Sequence, residues 1–185
     1  MVFVRIKRIS GKEYGYVVAN SWTGSGPRQK VSKYLGRVIR PDKTKSEDLG
    51  AFLRLTSGPD TTAWLMKSSF REVVAALMRW ELNNHGANSS GLKINVDNTE
   101  FLDDKGKPVV LAINDGFLCG YTAKRLLEYE ASTDYTGYNL ADALTAAGIA
   151  VDKEIFITLF GKMQVAVVAK KMEAKEDKTA KDFYY

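Results

Sequence analysis

Cations and aromatic rings are interleaved through the opening of this chain. Arg5, Lys7, Lys30, Lys33 and Arg37 offer positive charge to phosphate, and Tyr14, Tyr16, Trp22 and Tyr34 offer rings. On one surface the two suit a polynucleotide. Ammonium and guanidinium groups follow the phosphate backbone, while a ring stacks on any base. The segment Gly24-Ser25-Gly26-Pro27-Arg28-Gln29-Lys30 ends in two cations, Arg28 and Lys30, and can clamp a backbone through its amides. It is not a Walker loop, because the Gly-Lys-Ser/Thr ending is missing. For each tyrosine the competing role is packing, with the hydroxyl left at the rim.

Two other chemistries are weaker. Asp97, Glu100, Asp103, Asp104 and Asp115 fall near expected strand ends, where carboxylates can hold Mg²⁺ for phosphoryl chemistry. A nuclease would use Asp97, Glu100 and Asp115. Asp103, Asp104 and Asp115 also stand where turns favour Asp for its own hydrogen bonding. Cys119 lies close to a helix start, which can stabilise a thiolate, and His85 is the one histidine. The plainer reading is a buried thiol and a surface histidine. No Gly-x-Ser-x-Gly is present. A single cysteine excludes an internal disulfide and a multi-cysteine zinc site, and points to a reducing, cytoplasmic setting. No cofactor or metal is expected.

The charge is unevenly placed. Residues 1–45 hold eleven basic and two acidic side chains, a net of +9. The remaining 140 hold sixteen basic and twenty acidic ones, a net of −4. A concentrated basic surface attracts polyanions, since each phosphate contact releases condensed counterions. An acidic protein partner is the alternative, as for an assembly subunit. Hydrophobic types reach 45% of the 185 residues, enough for a core, yet no run of apolar residues is long enough to span a membrane. The N-terminus carries charges where a secretory signal needs an apolar stretch.

These side chains need elements to carry them. Residues 2–9 and 13–20 alternate as strands, with Val2, Val4 and Ile6 opposed to Arg5 and Lys7, and with Tyr14, Tyr16 and Val18 on one side. SWTGSGPRQ reads as a long loop. In 29–35, Val31 and Leu35 share one face and Lys30 and Tyr34 the other. Residues 40–48 read as a linker, and Thr56 to Asp60 as a break, with Asp60 capping a short helix through Met66. The clearest helix is 69–84: Ser69 and Glu72 fit a capping box, Phe70, Val73, Val74, Leu77 and Met78 share a face, and Gly86 stops it. Strands follow at 92–96, 99–102 and 108–114, the last two joined as a hairpin across Asp103 to Lys107, and the last a buried central strand. Helices are expected at 121–131, at 139–148 with Asn139 as cap, and after Asp152. Residues 165–176 suit either strand or helix.

The segment Phe3 to Trp22, followed by Arg28-Gln29-Lys30-Val31-Ser32-Lys33-Tyr34-Leu35-Gly36, resembles the N-terminal module of insertion-sequence transposases and of small archaeal and bacterial relatives. The shared features are an opening basic strand, a Tyr-x-Tyr strand and an Arg-Gln-x-x-x-x-Tyr-Leu-Gly ending. The resemblance spans residues 3–36 and implies a DNA- or RNA-contacting module, not strand transfer. The fold class expected is α+β. A three-stranded antiparallel β-meander over 1–45 packs with a helix-and-strand body over 46–176, and 177–185 form a flexible tail. The function expected is non-catalytic nucleic-acid binding through Arg5, Lys7, Tyr14, Tyr16, Trp22, Arg28, Lys30, Lys33, Tyr34 and Arg37. It depends on those cations gathering on one exposed patch.

Overall fold

The alternation in VFVRIKRI builds a strand with one apolar and one charged side, and β1 (Val2–Ile9) forms there. The computed structural model describes residues 2–24, 26–54, 60–87, 91–129 and 137–165. Ser10 and Gly11 take φ of 49° and 76° and turn the chain tightly into β2 (Lys12–Thr23). β3 (Gly26–Ile39) then runs back along β2. The long loop expected between them is mostly strand: Ser21 pairs with Arg28, Trp22 with Pro27 and Thr23 with Gly26. The Thr23 hydroxyl donates to the Gly26 carbonyl at 2.9 Å. Gly, Ser and Pro mark the turn correctly, but the strand across it supplies pairing that local composition does not record.

β3 is irregular at two places, opposite Gly15/Tyr16 and opposite Val17/Val18. Leu35 and Ser32 are the extra residues, and each bulge resets the alternation. The expected faces of this strand are therefore corrected. Val31 pairs with Val18 and Tyr34 with Tyr16, whereas Lys30 pairs with Ala19, and Leu35 is buried in the core.

The architecture is α+β. A five-stranded mixed sheet has the order β1-β2-β3-β6-β7, with β6 (Val109–Ile113) and β7 (Gly116–Leu118). The antiparallel meander joins the body through this sheet, as Arg37–Ile39 pair in parallel with Val109–Leu111. β6 is apolar throughout because it feeds two cores. Val109, Leu111 and Ile113 enter the larger one, and Val110 enters a smaller one with Val17, Leu35, Val38 and Cys119. The larger core is closed by helices: α1 (Leu49–Phe52), α2 (Thr61–Lys67), α3 (Phe70–Asn84), α4 (Gly120–Leu127), α5 (Gly137–Ala146) and α6 over 153–165. The Ser69–Glu72 capping box starts α3, and Val73, Val74, Leu77 and Met78 are fully buried. Asp60 and Asp152 cap α2 and α6 as expected.

Other expectations are adjusted. The Asp103 turn forms, its carboxylate accepting the Lys105 and Lys107 amides at 2.9 and 2.8 Å. The strands around it part, however. β5 (Glu100–Leu102) pairs with β4 (Lys93–Asn95) in a separate two-stranded sheet, and only Leu102 and Pro108 bridge to the next strand. Pro108 has no amide hydrogen with which to continue a ladder. α4 ends at Leu127, earlier than expected, and Asn139 lies inside α5 rather than capping it. Asn114-Asp115 does not simply end β6 but turns it into β7. The 40–48 connection is pinned to the end of α3, where the Asn84 carbonyl accepts the Thr44 and Lys45 amides. The Trp80 indole N–H also donates to the Glu47 carbonyl at 2.7 Å. Residues 56–59, 88–90, 132–136, 166–176 and the tail 177–185 lie outside the described residues.

One position fixes the junction between meander and body. Gly36 has φ +124°, and a Cβ there would lie 2.0 Å from the Pro108 carbonyl oxygen. Gly36→Ala is expected to cost about 3 kcal/mol or more, through strain and forced separation of β3 from β6. Gly11→Ala, at φ +76° with open space around it, is expected to cost only about 1 kcal/mol. Urea unfolding of both variants checks this, and equal midpoints would refute it.

Candidate nucleic-acid interface

β1 pairs with β2 only as far as Ala19, and β6 pairs with β3 only from Arg37 onward. Residues 20–24 and 26–29 therefore stand out as a two-stranded ribbon, with no third strand beside it among the described residues, and 20–24 and 27–34 are all exposed. Trp22 is 85% exposed near the ribbon end, paired across from Pro27. Between Glu13 and Asp42 there is no acidic residue. Glu13 itself is engaged by Arg40 at 2.9 Å.

Residues opposite each other in an antiparallel pair project from the same face. Arg5 is opposite Tyr16, Lys7 opposite Tyr14, Tyr16 opposite Tyr34, and Tyr14 opposite Arg37. One face thus holds three cations and three tyrosines, with Gln29 and Trp22 further along the ribbon. The rings touch: Tyr34 lies with its centroid 5.5 Å from Tyr16 and 6.3 Å from Tyr14. The Lys7 ammonium sits 5.3 Å from the Tyr16 ring centre, in cation–π range. The Arg5 guanidinium donates to the Gln29 side-chain oxygen across β2. Tyr34 is 47% exposed, whereas Tyr14 and Tyr16 are half-buried. The trio is therefore packed beneath and open above, so packing and stacking are both served.

The remaining candidates lie elsewhere. Arg28 is opposite Ser21, Lys30 opposite Ala19 and Lys33 opposite Val17, which places them on the other face of the same ribbon. The six cations among the candidates are thus divided between two faces, and the expectation of one common patch is corrected: only Arg5, Lys7 and Arg37 share a face with the tyrosines, so a contact through that face draws on half of these cations. The acidic set is also dispersed. Asp97 is held by Arg79 at 2.6 Å through both oxygens, Asp103 is used by its turn, and Asp115 stands in the β6–β7 turn. Among the described residues no three His, Cys, Asp or Glu side chains come together as a metal site. Cys119 is buried, as expected, and its amide donates to the Thr122 hydroxyl at 3.0 Å. His85 is not at the surface: it is 5% exposed, with Nδ1 2.9 Å from the Glu81 carbonyl and 3.4 Å from the buried Glu81 carboxylate. A stop position in sequence had suggested exposure, but the 40–48 connection covers this end of α3.

Sequence reasoning missed Gln29 as the partner of Arg5. It also missed a groove of about 470 Å³ beside β3, lined by Lys33, Tyr34, Glu100, Tyr121 and Lys124 among others. Nothing local announces that groove, because Lys124 reaches it from a helix ninety residues away in the chain. Among the described residues no helix is long and apolar enough to cross a membrane. Neither a family model, a curated protein nor a solved structure matches this chain.

The tyrosine trio has a measurable signature. Burial holds the Tyr34 hydroxyl above its ordinary value of 10.0, and repulsion from Tyr14 and Tyr16 adds to this. A raised folded value means that the stability contribution is whole below pH 10 and is lost as pH climbs through the folded value. Ultraviolet titration of Tyr34→Phe is expected to lack one late-ionising tyrosine, with Tyr129, also raised chiefly by burial, remaining late. An unchanged alkaline curve would contradict this.

Proposed function

We propose that this protein binds nucleic acid, without catalysing a reaction on it, through the face carrying Arg5, Lys7, Tyr14, Tyr16, Tyr34 and Arg37. One observation carries the reading: a half-exposed tyrosine rests on two others, with a lysine over one ring and two arginines in register on the same sheet face. Such a face offers a base a ring to stack on and its phosphates a cation on either side. The ring contacts also hold the tyrosines in place before any ligand arrives, so less side-chain entropy is lost on binding. The resemblance of residues 3–36 to a transposase N-terminal module supports the same reading. The nuclease alternative is disfavoured by Asp97, whose carboxylate is already occupied by Arg79. A cytoplasmic location accords with the free, buried Cys119.

Binding to single-stranded oligonucleotides is expected to weaken steeply with salt. Arg5→Ala/Lys7→Ala/Arg37→Ala should reduce the log–log salt slope by about 2, at about 0.7 per lost phosphate contact. Tyr34→Ala should lower affinity by about tenfold or more while leaving the slope unchanged, since stacking is not electrostatic. Fluorescence anisotropy across a salt series reads both quantities. A triple variant with the wild-type slope would exclude this face as the contact surface, and nuclease-resistant capture of a protein instead would point to an acidic partner.

A further inference from the structure

We infer that the opposite face of the ribbon is a second, separate site for single-stranded nucleic acid, so that one molecule holds two strands at once. The inference rests on the nucleic-acid reading above and goes beyond it in number and place of sites. Arg28, Lys30 and Lys33 project away from the tyrosine face, because their partners Ser21, Ala19 and Val17 alternate with Asn20, Val18 and Tyr16. The bulge at Ser32 is what aligns them. In an unbroken strand residues 30 and 33 would point to opposite sides, but the extra residue restores Lys33 to the side of Lys30. The Ser32 hydroxyl donates to the Val17 carbonyl at 3.2 Å and ties the bulge to β2.

The three cations form a row about 14 Å long, four residues of the partner strand. Among the described residues no carboxylate pairs with any of them. The row ends at Lys33 beside the groove along β3; Tyr34 of the tyrosine face lines that groove too, so the two sites are apart along Arg28 and Lys30 and adjoin at the groove. Glu100 also lines that groove, and Lys124 lies 3.8 Å from Glu128, so the attraction is strongest along the ribbon and weaker at the groove. The groove, of about 470 Å³, is of small-ligand size. The two faces lie back to back across the thickness of one sheet. Along Arg28 and Lys30, where the ribbon is exposed, a strand on either side leaves the other accessible, while behind Val17 at the Lys33 end the back face is closed by the smaller core.

The test uses the full chain with two oligothymidylates, which cannot hybridise to each other. One carries biotin and the other a dye, and each is short enough to cover one face. The expected results are two oligothymidylates bound per chain by titration calorimetry, and capture of the dye-labelled strand on beads only when protein is present. Arg28→Ala/Lys30→Ala/Lys33→Ala should bind one strand per chain and reduce capture by about tenfold or more. Arg5→Ala/Lys7→Ala/Arg37→Ala should reduce capture likewise through the other face. One strand per chain with no capture would overturn the second site while leaving the proposed function standing. Capture with one strand per chain would also overturn it, since that signals association between proteins. No binding of any oligonucleotide by the wild-type chain would overturn both readings.

Discussion

The passage of Gly36 over the Pro108 carbonyl is the constraint on which the arrangement hangs. At 2.0 Å for any Cβ, no side chain can stand between the two backbones, and so β3 can settle directly into parallel register with β6. Only three residues of β3 make that ladder. They suffice because they enter a strand buried on both faces: Val110, Leu111 and Ile113 are at most 1% exposed, each contributing about 1.5–3 kcal/mol. Leu35 still packs into the smaller core, and the part of β3 beyond the end of β1, Gly26 to Gln29, is carried outward from that base. The ribbon itself is held by ladder hydrogen bonds and cross-strand pairs worth a few tenths to about 1 kcal/mol each. A stable body and a lightly held projection follow from the same strand.

The two bulges decide what that projection presents. Without them β3 would alternate uniformly, and tyrosine and lysine would be mixed on each side. With them Tyr34 joins Tyr14 and Tyr16 above, while Lys33 joins Lys30 and Arg28 below. Rings and half of the cations are thereby sorted from the other half. The absence of acidic residues between Glu13 and Asp42 leaves both sides positive. The only carboxylate in the first forty-one residues is turned to Arg40.

Much of this was legible in the sequence where the signal is local. The Ser69–Glu72 box, the stops at Gly86 and Gly148 and the turn at Gly106 are written within a few residues, and each glycine has positive φ. The alternation of β1 and the unbroken apolar run of β6 were equally plain. What was not legible depends on residues far apart. The ribbon looked like a loop because Trp22 and Pro27 become strand residues only by pairing with each other. A bulge leaves no mark in composition, so the faces of β3 were assigned with the wrong phase. Three-residue β7 is too short for periodicity to reveal. His85 was read as exposed because the segments packed around the end of α3, the 40–48 connection and the stretch at Ala150, lie far from it in the chain. The ten candidate side chains were chosen by type, and their separation onto two faces is a property of register, which type does not record.

A strand with one bare side is an invitation to other strands. Among the described residues, β3 from Gly26 to Gly36 has β2 on one flank and nothing in ladder on the other, a template for pairing with a second copy of the same chain. The row of Arg28, Lys30 and Lys33 works against this, since two such borders brought together would set like charges against each other. The same positive charge that the proposed function uses thus also opposes pairing of two copies edge to edge.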